Sequence, residues 1–160
     1  MFTEQVIETP LSEYEIERDK PMPSKHHAFI QSRLLNQFDR LYAERYTVLP
    51  ELTLDMPIQG RVPDLSVYPY MKSMGDEEIK MVDLPLCTIE ILSPTPNHVD
   101  LLLKRRQYFD AGVQSYWLVF PDPKSVYVYS SPDEFEVFSY KEILTDTQLG
   151  IELPLSEIFK

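Results

Sequence analysis

At 160 residues the chain fits a single domain spanning 1–160 and is long enough to bury a sizeable core. Asp and Glu outnumber Lys and Arg by 26 to 15, a net charge of −11, which excludes a broadly basic surface and confines any nucleic-acid contact to a local patch. One cysteine, three histidines and four glycines exclude an internal disulfide, a conventional Cys/His zinc site, a dinucleotide-binding fingerprint and a P-loop.

Along the chain, Glu13 to Glu17 alternate with Tyr14 and Ile16 on one face, which predicts a strand with an acidic face. Ser24 is suited to cap a helix running to about Arg45, in which Ile30, Leu34, Phe38, Leu41 and Tyr42 recur at helical spacing. Alternation over Leu52, Leu54 and Met56, then Gly60 and the run Val62 to Tyr68, predicts two paired strands of a hairpin. Residues 69–85 show no period and read as an exposed loop, whereas Leu86 to Leu92 is nearly all apolar, as in a strand buried on both faces. A second helix is expected from Asn97 to Ala111, with Val99, Leu102, Leu103, Gln107 and Tyr108 at or near its inner side and Gly112 ending it. The strand Tyr116 to Phe120 follows, so strand, helix and strand form a right-handed βαβ unit with parallel strands. A hairpin from Val126 to Tyr129 and Phe135 to Tyr140, then a short helix near Leu155 to Phe159, complete the expectation. The fold class is α/β, a mixed sheet with a central βαβ unit flanked by two main helices. The N-terminus has no leader pattern and no run of eighteen apolar residues occurs, so a reducing cytoplasm is expected and a membrane is not.

Two acids interrupt strands that would otherwise be apolar, Asp64 in Val62-Pro63-Asp64-Leu65-Ser66-Val67 and Glu90 in Cys87-Thr88-Ile89-Glu90-Ile91-Leu92. Buried acids require partners. Two carboxylates ~4 Å apart repel by about 4 kcal/mol at an effective dielectric near 20, so a divalent cation or a lysine is implied. Seven helical residues rise about 10 Å and two to three strand residues retrace roughly 7–10 Å, which brings Lys104 about level with Glu90. Asp100 and Tyr108 share the face of Lys104, one turn to either side. Each residue also has an ordinary reading. Asp100 and Lys104 can form a solvated helix pair, His27 can cap or pack, His26 and His98 fit the surface, Ser93 fits a turn, and Arg105-Arg106 fits a solvated face.

Pro63-Asp64, Ile89-Glu90-Ile91-Leu92-Ser93-Pro94, Asp100, Lys104, Tyr108, Ala111-Gly112-Val113 and Tyr116-Trp117-Leu118-Val119 together resemble the Uma-two family, endonucleases of the PD-(D/E)XK restriction-endonuclease fold. The resemblance runs from Tyr14-Glu15-Ile16 to Phe159. It implies Mg²⁺-dependent cleavage of phosphodiester bonds in nucleic acid, DNA above all, with Mn²⁺ able to substitute. Asp64, Glu90 and the Ile91 carbonyl then correspond to metal ligands, Lys104 to the group that assists the attacking water, and Asp100 and Tyr108 to its supports. Glu15 matches the acid of the N-terminal strand and His27 a family histidine, both counted with the catalytic set. Leu92 stands where the usual motif has its lysine, and Asp19 where the N-terminal motif commonly has glycine. Many nucleases of this fold cut two strands as dimers, so a homodimer is compatible by analogy. Two other readings stay open: a catalytically inactive nuclease-fold module that binds nucleic acid or protein, and a scaffold in which the acids and Lys104 form a structural ion-pair network.

Overall fold

The computed structural model describes residues 22–57, 61–93 and 98–160, with side chains in the last stretch from Leu101 onward; the strand expected at 13–17 lies outside these residues. Ser24 caps helix α1 (Lys25–Tyr42), its hydroxyl accepting the His27 backbone N–H at 3.1 Å. The stripe Ile30, Leu34, Phe38 is buried, whereas Leu41, expected inward, is exposed because it lies one position off that i+4 row.

The chain then forms β1 (Tyr46–Pro50), β2 (Thr53–Leu54), β3 (Leu65–Pro69), β4 (Lys80–Met81), β5 (Cys87–Ile91), α2 (His98–Ala111), β6 (Ser115–Phe120), β7 (Ser125–Tyr129), β8 (Phe135–Ser139), β9 (Ile143–Asp146), β10 (Ile151–Pro154) and a 3₁₀ turn (Leu155–Glu157). Six strands make one mixed sheet in the order β1-β3-β5-β6-β7-β8, and β5 with β6 is its parallel pair. The βαβ unit and the β7–β8 hairpin thus take their expected forms.

The expected hairpin between 52–56 and 62–68 does not form. The antiparallel partner of β3 is β1, with Val48 opposite Val67, while β2 pairs in parallel with β4. Tyr46 and Val48 pack on the α1 side of the sheet, whereas Leu54 and Met56 join the apolar cluster under α2, so the two runs serve different faces. The loop expected at 69–85 therefore contains β4. The tail holds the β9–β10 hairpin, and the expected terminal helix is reduced to the single 3₁₀ turn.

Alternation along the strands separates two cores. Leu65, Val67, Ile89, Ile91, Trp117, Val119, Val126 and Val128 face α1 and the β9–β10 hairpin, with Trp117 stacked on Phe38 at 5.6 Å between centroids. Asp146 is buried there, accepting from Trp117 Nε1 at 2.7 Å, from the Ser115 hydroxyl and from the backbone N–H groups of Gln148 and Leu149. The opposite face carries Tyr116, Leu118 and Tyr129 under α2. Leu102 and Leu103, expected inward on α2, are exposed, Leu103 by 50%, whereas Tyr108 is buried as expected and Lys104 is buried with it. The helix turns polar and aromatic groups inward because the strand beneath it presents Thr88 and Glu90 on that face. Gly112, at φ +108, ends the helix, and the Val113 N–H closes back onto the Tyr108 carbonyl at 3.1 Å. Among the described residues no helix is long and apolar enough to cross a membrane.

Candidate active site

Strand register assembles the acids. Leu65 lies opposite Ile89, so one further residue sets Asp64 across from Glu90 on the same face. Pro50 lies opposite Leu65, so Glu51 falls beside Asp64 from the other side, its backbone N–H meeting the Asp64 carbonyl at 3.3 Å. Positions 51, 64 and 90 thus neighbour one another across β1, β3 and β5, with the Glu51 carboxylate turned to Gln31 on α1. Glu51 takes a left-handed backbone conformation, φ 61, the kind of local strain that persists where surrounding contacts enforce it.

Asp64 is 1% exposed and held at both oxygens. His27 Nε2, from the first turn of α1, meets Oδ1 at 3.0 Å, and the Ile91 backbone N–H donates to Oδ2 at 2.7 Å. Gln31, one turn along α1, donates to the Asp64 carbonyl at 2.9 Å and to Glu51 Oε1 at 3.0 Å. Because His27 donates through Nε2, its Nδ1 is left buried without a hydrogen-bond partner.

Glu90 is 5% exposed, and its Oε1 accepts from the Tyr108 hydroxyl at 3.3 Å. Burial, and then the negative charge of Glu90, push the Tyr108 hydroxyl well above its ordinary range, so it remains a protonated donor. Tyr116, its ring tilted against that of Tyr108 with centroids 5.8 Å apart, is shifted upward for the same two reasons.

Of the residues singled out from the sequence, the fold brings Asp64, Glu90, His27, Ile91 and Tyr108 together. The α2 side chain touching Glu90 is Tyr108; Lys104 lies one turn earlier on the same inward face, 5% exposed, with no hydrogen bond or ion pair to a described residue. Glu15, Asp19 and the side chain of Asp100 lie outside the described residues. Arg105 turns away from the acids, with Nε on the Pro132 carbonyl at 2.8 Å and its guanidinium 4.1 Å from the Tyr129 ring centroid, and Arg106 is exposed.

Gln31, Glu51 and Arg61 escaped the sequence reading, and Gln107, expected near the inner side of α2, was not paired there with Arg61. Arg61, 3% exposed, donates from Nε to Gln107 Oε1 on α2 at 2.6 Å. Its signal was a basic residue three positions before Asp64. Glu51 had none, because only the β1–β3 register brings it there.

The donors on offer are carboxylate oxygens on neighbouring strands, with no thiolate among them. That chemistry suits a hard cation that keeps several waters and binds through one or two carboxylates together with a substrate phosphate. Among the described residues no three His, Cys, Asp or Glu side chains are grouped closely enough to hold a metal by themselves.

Comparison with known proteins agrees with this architecture. A crystal structure described as a putative nuclease belonging to DUF820, from Anabaena variabilis, superposes with a TM-score of 0.74 at 26% identity, covering 87% of this chain and 83% of that one. No curated protein matches the chain. The model of the Uma2 family, described as putative restriction endonuclease, matches residues 7–159, so the chain belongs to the Uma2 family of restriction-endonuclease-like proteins.

Proposed function

We propose that this protein is a divalent-metal-dependent endonuclease that hydrolyses phosphodiester bonds in nucleic acid, with DNA as the first substrate to test. The observation that carries the reading is the pair of buried acids, Asp64 and Glu90, set face to face by strand register and overlooked by a buried lysine. Three such groups in a core are a costly choice for stability alone, since apolar replacements of similar volume are often neutral or stabilising. Mg²⁺, with Mn²⁺ as substitute, would be held by Asp64, Glu90 and the Ile91 carbonyl, with Glu15 a further candidate. The chemistry such an ion supplies when bound is neutralisation and Lewis-acid polarisation of the scissile phosphate.

The chain's own groups divide the remaining work. His27 and the Ile91 N–H fix the orientation of Asp64. Tyr108 fixes Glu90 in the same way, with Asp100 a further support for the lysine face. Lys104 carries the mobile positive charge, positioned to orient the attacking water or to oppose the negative charge that builds on phosphate oxygens. With Cys87 buried as a free thiol, the protein suits a reducing cytoplasm. A homodimer would present two such sites to the two strands of a duplex.

The test is titration of Mg²⁺ and Mn²⁺ into wild type, Asp64→Asn and Lys104→Ala, followed by incubation with plasmid and single-stranded DNA. Metal binding lost in Asp64→Asn, and cleavage lost in Lys104→Ala with metal binding kept, is the expected result. Cleavage retained in Lys104→Ala removes the lysine from the mechanism. A wild type without metal binding or cleavage supports the inactive nuclease-fold module, the reading favoured by the lack of a three-ligand cluster among the described residues.

A further inference from the structure

Two facing carboxylates need a compensating positive charge, and the described part of the site contains one that is neither metal nor lysine. Arg61 is almost wholly buried, three residues before Asp64, at the point where the chain enters β3. Its backbone carbonyl is tied to the Leu54 N–H at 2.9 Å, and its guanidinium Nε to Gln107 at 2.6 Å, so both ends are anchored. Gln107 immediately precedes Tyr108 and lies one turn after Lys104, on the helix face that closes over Glu90.

We infer that Arg61 is the resident cation of this site: a positioning residue that holds α2 against the Asp64 strand through Gln107, balances the acid pair in the apo protein, and thereby sets how tightly a divalent ion binds. Arginine is the residue suited to this place. Its guanidinium stays charged when buried and presents five N–H donors in a rigid fork, whereas a lysine is a single flexible point charge that loses its proton more readily. The inference also accounts for Leu92. Where the usual motif places a lysine beside the second acid, this chain has an apolar residue, and the compensating charge enters from the other acid's strand.

The inference rests on the proposed metal site, and one titration separates the two. Mn²⁺ is titrated calorimetrically into wild type, Arg61→Gln and Arg61→Lys, each checked for folding by circular dichroism. A full positive charge beside a divalent site weakens cation binding, so Arg61→Gln is expected to bind Mn²⁺ at least about fivefold more tightly than wild type. A purely structural tie would leave that affinity unchanged or weaken it. Arg61→Lys keeps the charge and is expected to stay within about twofold of wild type; it carries the test if Arg61→Gln does not fold. Binding by wild type with unchanged or weaker binding by Arg61→Gln overturns the inference, as does an Arg61→Lys affinity more than about fivefold from wild type. Binding in Arg61→Gln alone supports the inference and overturns the metal-dependent reading of wild type, because the guanidinium would then occupy the cation's place. Binding in none of the three overturns both.

Discussion

Replacing Asp64 by Asn separates the structural from the chemical role of the acid. The carboxylate accepts two hydrogen bonds, from His27 Nε2 at 3.0 Å and from the Ile91 N–H at 2.7 Å. Bonds to a charged acceptor contribute about 1.5–3 kcal/mol each and neutral ones about 0.5–1.5 kcal/mol. An Asn amide can keep its oxygen on the Ile91 N–H while its NH₂ turns to His27, whose ring accepts at Nε2 once the proton moves to the unpartnered Nδ1. Both contacts survive in weakened form, so the loss is about 2 kcal/mol, or roughly 4–8 °C in Tm for a chain of this size. Asp64→Ala, which leaves the Ile91 N–H without an acceptor, should cost about 3–5 kcal/mol. The assay is urea denaturation followed by the fluorescence of Trp117, the sole tryptophan, buried against Phe38. Repeated at a Mg²⁺ concentration ten times Kd, wild type should gain about 1.4 kcal/mol and Asp64→Asn nothing. An Asn variant as stable as wild type without metal would refute the argument, since the contacts of Asp64 would then contribute nothing to the fold.

Lys104→Met should leave stability unchanged or raise it by up to about 2 kcal/mol while abolishing cleavage, because a buried ammonium is replaced by an apolar side chain of similar length; denaturation and a DNA cleavage assay on the same sample check both halves. Asp146→Ala strips acceptors from Trp117, Ser115 and two backbone N–H groups on the far side of the sheet. It should cost about 3–5 kcal/mol yet leave cleavage per folded molecule unchanged; a larger loss of rate than of folded protein would place Asp146 in the site's network. The Tyr68 hydroxyl donates to the Asp83 carbonyl at 2.9 Å, and burial, then Asp83 and Glu78, push it up to about 12 from 10.0. The unfolded chain releases this proton first, so its contribution to stability is intact below pH 10 and is lost as pH rises from 10 toward 12. Alkaline denaturation should therefore begin earlier in wild type than in Tyr68→Phe.

Legibility followed chemistry more closely than it followed topology. Asp64 and Glu90 stood out because each breaks an apolar run, and that is a local signal. The identity of the strand between them and the sheet edge was not local. Tyr46–Pro50 follows directly on a helix and ends in proline, so its short alternation was masked, while Leu52 to Met56 offered a cleaner pattern and served a different face. On α2 the hydropathy rule pointed the wrong way. Leu102 and Leu103 were expected inward with Tyr108, yet it is Lys104 that shares the buried face with Tyr108, over a strand that presents Glu90. A helix that closes an active site is matched to the charge it covers, and periodicity of apolar residues cannot report that. The contacts of Glu51 and Gln107 were invisible for the related reason that their partners lie 13 and 46 positions away.

The division between the two faces of the sheet says where variation can be tolerated. On the α1 side the strands present aliphatic residues, with Trp117 and the satisfied Asp146 as polar exceptions, and among the described residues His27 and Gln31, in the first turns of α1, extend past the sheet to Asp64 and Glu51. The α2 side concentrates Asp64, Glu90, Arg61, Lys104, Tyr108 and Tyr116. Desolvating so many polar groups on one face costs free energy that apolar burial elsewhere must offset. It follows that volume changes at Leu34, Phe38 or Ile89 should alter stability with little effect on turnover per folded molecule. Charge changes at Arg61, Lys104 or Glu90 should alter the site's affinity and rate by more than their effect on folding. The two classes of variant meet only at His27 and Gln31, whose helix belongs to the first face and whose polar atoms belong to the second.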